Sequence, residues 1–163
     1  MSAPAPAPTR DRLAGLVVVG VGNELRRDDG IGVAVARALS GSFGELGARV
    51  VLLHQLVPEL AAELTGAQAV IFLDAAVDLP PGAVRVATPA PGKVPGSATH
   101  QTEPDALVDL CAALYGTRPA AMIVSVGAAD LEAGVGLSTA ARQGCERAGE
   151  IVRALAEEMI ADA

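Results

Sequence analysis

Short, continuously apolar segments alternate with amphipathic stretches along this chain, and this alternation limits the possible folds more than any other feature. Residues 16–20, Leu-Val-Val-Val-Gly, are typical of a β-strand that is buried on both faces. Further strands are predicted at 49–53, 69–73, 83–87 and 120–126, and helices at 31–39, 58–64, 103–115 and 138–160. Apolar strands that alternate with helices predict an α/β fold, a three-layer α/β/α sandwich around a mostly parallel sheet of about five strands.

The composition fits one folded domain and excludes several classes of function. The chain has 163 residues, of which 51% are hydrophobic and 2% aromatic, and 12 Lys+Arg against 19 Asp+Glu give a net charge of −7. An acidic chain with few aromatic residues lacks the basic clusters and stacking surfaces that nucleic acids and anionic membranes require. We therefore expect no nucleic-acid partner and no membrane partner.

The beginning of the chain differs in composition from the rest. Residues 1–13 start with an Ala/Pro tract, which cannot join a helix interior or a strand ladder, so we predict a disordered tail there. Residues 14–163 are predicted to form a single domain. No apolar run approaches the roughly 20 residues of a membrane span, and the start lacks the features of a signal peptide. These observations predict a cytoplasmic protein.

Few cysteines and histidines are available for chemistry. Cys111 and Cys145 are too few and too far apart for a disulfide framework or a thiolate zinc site, and their apolar neighbours predict core positions. The chain has two histidines, His54 and His100, so any imidazole chemistry must use one of them.

The segment after the first strand, Gly20-Val-Gly-Asn-Glu-Leu25, invites comparison with dinucleotide-binding loops. Leu25 replaces the third glycine of the Gly-x-Gly-x-x-Gly fingerprint, and His54-Gln55 stand where an acidic residue would bind a ribose. Asp28 and Asp29 precede the next helix and would repel a pyrophosphate at its start. The pattern favours a tight strand-to-helix turn, and a nucleotide-binding oxidoreductase is the weakest of the alternatives.

Three potential metal ligands are predicted at the same edge of the sheet. Asp29 follows the first strand, Asp74 closes the third strand, and His100 ends the irregular Pro/Gly-rich segment before a helix. Two carboxylates and one imidazole suit a borderline divalent cation such as nickel, zinc or cadmium, and three protein ligands leave coordination positions open. Taken singly, Asp29 is also interpretable as a helix cap, Asp74 as a turn residue and His100 as a surface histidine.

Four segments give the chain a resemblance to a known family. Val19-Gly-Val-Gly-Asn-Glu-Leu-Arg-Arg-Asp-Asp-Gly-Ile-Gly32 resembles the opening motif of the hydrogenase maturation endopeptidases. Ile71-Phe-Leu-Asp-Ala75 is similar to the family's strand with a metal-binding aspartate, and Thr99-His-Gln101 to its metal-binding histidine before a helix. Gly134-Val-Gly-Leu-Ser138 is similar to the segment that begins the family's last helix, so the resemblance covers nearly the whole chain.

The resemblance implies an α/β/α sandwich with endopeptidase activity. Such an enzyme removes a short C-terminal peptide from the large-subunit precursor of a nickel–iron hydrogenase after nickel has been inserted. The resemblance further implies that Asp29, Asp74 and His100 are the catalytic and metal-contacting residues, that the precursor supplies the nickel, and that no organic cofactor takes part. No catalytic Ser or Cys is implied, and the chain has no Gly-x-Ser-x-Gly motif.

Two questions about this chemistry stay open at the level of sequence. The metal either polarises the scissile carbonyl or activates a water, and each route lowers the barrier to hydrolysis. A protein of another class, a metal-sensing chaperone that holds the nickel-loaded precursor without cutting it, would carry the same three residues.

Residues beside these motifs have predicted auxiliary roles. Asp28 is predicted to cap the helix that follows it, and Asn23 to fix the turn through side-chain-to-backbone hydrogen bonds. His54, at the end of the second strand, is either a polar residue at the rim of the site or a further contact to metal or substrate. Arg26 and Arg27 are predicted to be a solvated pair.

Overall fold

Strands and helices alternate in the structure as the apolar pattern predicts. A computed structural model of the chain describes residues 9–90 and 102–163. Its strands are β1 (Leu16–Val21), β2 (Arg49–Leu53), β3 (Ala69–Ala76), β4 (Val84–Ala87) and β5 (Ala120–Gly127). Its α-helices are α1 (Ile31–Glu45), α2 (Leu60–Glu63), α3 (Pro104–Tyr115) and α4 (Thr139–Ala161).

The five strands form one sheet in the order β2-β1-β3-β5-β4. The pairs β1–β2, β1–β3 and β3–β5 are parallel, and the edge strand β4 runs antiparallel to β5. Helices α1 and α4 pack together on one face, and α2 and α3 on the other, each pair over its own apolar cluster. The predicted three-layer sandwich around a mostly parallel sheet is confirmed.

Helix α1 is longer than the prediction. The apolar periodicity predicts a helix over 31–39, and the Ser-Gly-Ser-Phe-Gly stretch that follows has low intrinsic helix propensity. The helix nevertheless continues to Glu45, and Phe43 near its end is only 2% exposed in the core beneath. Burial of one aromatic ring outweighs the weak local preference here.

The folded region begins earlier than predicted. Residues 1–8 lie outside the described residues, and there the predicted tail remains a prediction. Thr9–Asp11 form a turn of 3-10 helix, and Leu13 is 1% exposed. The Leu13 amide donates to the carbonyl of Leu46 at 2.8 Å, so residues 9–13 are part of the domain rather than of a tail.

Both thiols pack against apolar residues, as predicted. Cys111 on α3 is fully buried in one core cluster, with its Sγ 3.7 Å from the carbonyl oxygen of Ala61 on α2. Cys145 on α4 is half-buried beside the other core cluster. Neither forms a disulfide. Within the described part of the chain, no helix is both long and apolar enough to cross a bilayer.

Gly32 allows the start of α1 to pack closely against the sheet. A Cβ atom on this residue would lie 2.2 Å from the carbonyl oxygen of Leu73 and 2.4 Å from that of Val21. Since Leu73 directly precedes Asp74, this contact brings the turn that carries Asp29 next to the carboxyl end of β3. The first motif of the sequence therefore sets the distance between two predicted ligands.

Gly32→Ala is expected to lower the free energy of unfolding by about 1–3 kcal/mol, because two backbone carbonyls must move to admit a methyl group. Urea denaturation measures the effect. Gly41→Ala, in the same helix, is the matched control: a Cβ atom there meets nothing within 4 Å, so the variant should gain up to about 1 kcal/mol. Equal effects of the two substitutions would contradict the proposed close packing.

Candidate active site

An open cleft of about 410 Å³ lies beyond the carboxyl ends of the parallel strands. This is where α/β sheets place their ligand sites. Asp29 and Asp74, two of the three predicted ligands, both line the cleft, and His54 and Gln55 lie on its β2 side. The lining also includes four residues at and just before the start of α3: Thr102, Glu103, Pro104 and Asp105.

Asp29 is held at the cleft by the turn that follows β1. Its Oδ2 accepts a hydrogen bond from the backbone amide of Asn23 at 3.0 Å. Gly22 has a φ of +151°, and a Cβ atom on it would lie 1.8 Å from the carbonyl oxygen of Asp29. Only glycine fits this approach, so the second glycine of the motif determines where the Asp29 backbone lies.

The same turn leaves no free amide at Asn23 or Leu25 for a phosphate. The Asn23 amide is engaged by Asp29, and the Leu25 amide donates to Oδ1 of Asn23 at 2.9 Å. The predicted role of Asn23 in fixing the turn is therefore confirmed. These contacts, with two carboxylates beside them, disfavour the dinucleotide-binding interpretation of the loop.

Asp74 lies on β3, which continues to Ala76, three residues beyond the end of the predicted strand 69–73. Its Oδ1 accepts a hydrogen bond from Oγ of Ser125, the residue opposite it on β5, at 2.5 Å. Burial raises the pKa of the Asp74 carboxyl, although the hydrogen bond from Ser125 and the positive charge of Arg85 act in the opposite direction. Asp74 is therefore a strand residue at the floor of the cleft and not the turn residue that spacing alone allows.

Asp28 does not cap α1, and that prediction is wrong. The N-cap position is Gly30, with no side-chain hydrogen bond to the helix. Instead Asp28 is 0% exposed and accepts hydrogen bonds from the amides of Ala129, Asp130 and Ser138 and from Oγ of Ser138. The 3-10 turn Arg27–Gly30 directs the side chain inward, towards the loop before α4.

These contacts make Asp28 the link between the first motif and the last. Burial would raise the pKa of Asp28, but the hydrogen bonds from Ser138, Ala129 and Asp130 outweigh it and hold the pKa below its usual value. Ser138 also caps α4 as predicted, since its Oγ accepts from the amide of Ala141 at 3.1 Å. One buried carboxylate thus connects the Asp29 turn to the start of α4.

Arg26 and Arg27 differ in their surroundings. Arg26 is exposed, as predicted. The side chain of Arg27 is 42% exposed, and its Nε lies 3.5 Å from Oδ2 of Asp130. The backbone amide of Arg27 donates to the carbonyl of Gly134 at 3.0 Å. Arg27 is therefore attached to the loop before α4 and is not one of a solvated pair.

His100 lies outside the described residues, and the predicted Asp29–Asp74–His100 set remains a prediction. Within residues 9–90 and 102–163, no three His, Cys, Asp or Glu side chains lie close enough together to hold a metal ion. His54 is exposed at the cleft margin. In the described structure it therefore does not complete a three-ligand site with the two aspartates.

Two residues that line the cleft were not predicted from the sequence. Ser125 is 3% exposed on β5, and the other residues of this strand are apolar or glycine. A single hydroxyl in such a strand is the feature of the sequence that could have indicated a functional position. Arg85 lies opposite Ser125 on β4, and its guanidinium pairs with the Asp78 carboxylate at 2.8 and 3.3 Å. The hydrogen bond from Arg85 lowers the pKa of Asp78. Arg85 reaches this position because β4 pairs antiparallel with β5, an orientation that the sequence pattern did not predict.

No protein-family model and no curated protein matches the chain. Its structure is nevertheless similar to those of several hydrogenase maturation proteases. HybD from Escherichia coli is 27% identical with a TM-score of 0.68, and the alignment covers 88% of this chain and 92% of HybD.

Two proteases from Thermococcus kodakarensis extend the structural similarity. HybD from Thermococcus kodakarensis is 24% identical with a TM-score of 0.67, covering 86% of this chain and 98% of its own. HycI from the same organism is 21% identical with a TM-score of 0.67, and the alignment covers 89% of this chain and 91% of HycI. The similarity therefore extends over nearly the whole length of each protein.

Proposed function

We propose that the chain is a member of the hydrogenase maturation protease family, a peptidase whose substrate is the large-subunit precursor of a nickel–iron hydrogenase. In this proposal it releases a C-terminal peptide from the precursor after nickel insertion. The observation that carries the proposal is that Asp29 and Asp74, from two separate segments of the chain, line one open cleft at the carboxyl end of the sheet.

The cleft has the chemistry expected for recognition of a metal that the substrate carries. Carboxylate oxygens are suitable donors for a divalent cation, and an imidazole nitrogen widens the choice towards nickel. Nickel is here part of the substrate and not a resident cofactor. The openness of the site is consistent with this, since a protein-bound metal must enter together with the chain segment to be cut.

His100 is the third contact in this proposal. Thr102 lines the cleft, and two residues of chain span at most about 7 Å. The amide of Ala90 donates to Oδ1 of Asp105 at 2.9 Å, so the residues that flank 91–101 are held near each other beside the cleft. Covalent connectivity therefore supports His100 as a ligand available to the same site.

The described lining offers no cysteine and no histidine-activated serine for a covalent mechanism. Ser125 donates its hydroxyl to Asp74, and both cysteines lie in or beside the apolar cores. We therefore assign hydrolysis to a water that attacks the scissile carbonyl, with Asp29, Asp74 and His100 holding the substrate's nickel next to it. Free thiols at both cysteines suit a reducing compartment, and we assign the reaction to the cytoplasm.

The test is a processing assay on purified, nickel-loaded precursor, with peptide release followed by mass spectrometry. The wild-type chain should release one C-terminal peptide from the loaded precursor and none from precursor without nickel. Binding of loaded precursor without any cleavage would support a non-cleaving chaperone and overturn the peptidase mechanism.

The two histidines provide a matched pair for the site. His100→Ala is expected to lower peptide release at least about 100-fold, because loss of a direct ligand should exceed the 10–100-fold effects of outer-shell partners. His54→Ala removes the other imidazole, at the cleft margin, and is expected to retain activity within about threefold. Circular dichroism and thermal unfolding confirm that both variants fold. Unchanged cleavage by His100→Ala would remove this residue from the site.

A further inference from the structure

Three cleft residues form a row across adjacent strands. Asp74 on β3 is paired in register with Ser125 on β5, and Ser125 is paired with Arg85 on β4. Residues directly opposite each other in a sheet project from the same face. All three side chains accordingly line the cleft, with Ser125 in the middle.

The central hydroxyl is buried and engaged by one partner. Ser125 is 3% exposed, and its Oγ lies 2.5 Å from Oδ1 of Asp74. A hydroxyl at this depth is costly unless it is hydrogen-bonded, and donation to a carboxylate gives one of the stronger bonds available to it. Among the described residues, the other oxygen of Asp74, Oδ2, accepts no hydrogen bond.

We propose that Ser125 is a positioning residue for Asp74: its hydroxyl engages Oδ1 and fixes the rotation of the carboxylate, so that Oδ2 is presented to the substrate in the cleft. The inference rests on the proposed function for the identity of that substrate. Groups that hydrogen-bond to a metal-binding side chain orient it in this way, and their loss typically costs 10–100-fold in activity or affinity.

The alternative is that Ser125 is only a small residue tolerated in a tight strand. Arg85 does not replace it, because its guanidinium is directed to Asp78, as the two hydrogen bonds between them indicate. If Ser125 only fills space, its hydroxyl would be dispensable, and any residue of the same shape would serve equally well.

Ser125→Thr and Ser125→Val separate these possibilities. The two side chains have nearly the same shape, but only threonine keeps the hydroxyl, so any strain from the added methyl groups is common to both. We expect kcat for processing of the nickel-loaded precursor to be at least tenfold lower for Ser125→Val than for Ser125→Thr, with KM equal within about threefold. Equal kcat values for the two variants would overturn the proposal.

The size of the loss also distinguishes positioning from direct chemistry. A positioning residue is expected to leave residual activity of about 1–10% in Ser125→Val. A loss beyond about 10⁴-fold in Ser125→Val, with Ser125→Thr active, would overturn positioning and indicate that the hydroxyl itself is the nucleophile.

A thermal double-mutant cycle tests the contact independently of any processing. With Asp74 present, Ser125→Thr should unfold about 2–4 °C above Ser125→Val, the shift expected for one hydrogen bond in a chain of this size. In an Asp74→Ala background this advantage of threonine should vanish or reverse, because the buried hydroxyl has lost its acceptor. An unchanged advantage of Ser125→Thr without Asp74 would contradict the contact. If wild-type protein releases no peptide, the proposed function fails, and the cycle alone decides whether Ser125 holds Asp74.

Discussion

Asp74→Asn is expected to lower peptide release at least about 100-fold while leaving the protein as stable as wild type, or more stable, at pH 7. The amide retains the shape of the side chain and an oxygen that accepts the hydrogen bond from Ser125. It removes a negative charge whose burial is unfavourable, which is why the pKa of Asp74 is raised. Loss of activity without loss of stability is typical of a residue retained for function.

Single-turnover processing of the nickel-loaded precursor and urea denaturation of the isolated protein measure the two effects. Asp78→Asn is the matched control, since it makes the same substitution at an exposed acid that pairs with Arg85 at the cleft margin. We expect it to change stability by no more than about 0.5 kcal/mol. Wild-type processing rates in Asp74→Asn would exclude Asp74 from the site.

Asp28→Ala is expected to lower the free energy of unfolding by about 3 kcal/mol or more. The substitution leaves the amides of Ala129, Asp130 and Ser138 without their common acceptor in the interior. Each buried donor left unsatisfied costs about 1–3 kcal/mol, and local opening of the loop to water recovers part of the sum. Urea denaturation measures the loss, and hydrogen exchange should show faster exchange at these amides.

Asp28→Asn is the second variant, in case the alanine variant fails to fold. It keeps one acceptor oxygen and should lose about 1–3 kcal/mol. Asp162→Asn, at the exposed end of α4, is the control and should remain within about 0.5 kcal/mol of wild type. A stability loss in Asp28→Asn no greater than in the control would show that the buried network contributes nothing to the fold.

The two acids should contribute to stability with opposite pH dependence. The pKa of Asp28 is lowered in the folded state, so its contribution is present above the unfolded pKa of about 3.9 and is lost as pH falls through the folded pKa. The pKa of Asp74 is raised, so its contribution is present below the unfolded pKa and is lost as pH rises through the folded pKa. Unfolding curves of the Asn variants against wild type between pH 3 and pH 7 should therefore diverge in opposite directions.

Most of the fold was predictable because its signals are local. The run Leu-Val-Val-Val-Gly specifies a doubly buried strand, and Ser138 begins α4 with a side-chain cap. The predictions were wrong where distant contacts override local preference. Phe43 keeps α1 helical through a weak segment, and Leu13 draws the chain start onto the domain.

The candidate site divides in the same way. The sequence by itself determined which side chains are available for chemistry: one aspartate after the first strand, one at the end of the third strand, and two histidines in all. It also determined the glycines that allow the tight turn after the first strand. Only the tertiary structure decided how the acids are used. Asp28 and Asp29 are adjacent in sequence, yet Asp28 is buried against a loop about 100 residues away, while Asp29 faces the cleft.

The register of the sheet determines which residues lie opposite each other at the site, and no local sequence pattern contains this information. It places Ser125 opposite Asp74, on a parallel strand 51 residues away in sequence. It also places Arg85 opposite Ser125, on the antiparallel edge strand β4. Local propensity and periodicity report interactions within a few residues, whereas hydrogen bonds between strands and buried carboxylate networks depend on which segments meet in space. The sequence therefore determined the candidate ligands Asp29, Asp74 and His100, and the tertiary structure determined which neighbours hold the first two.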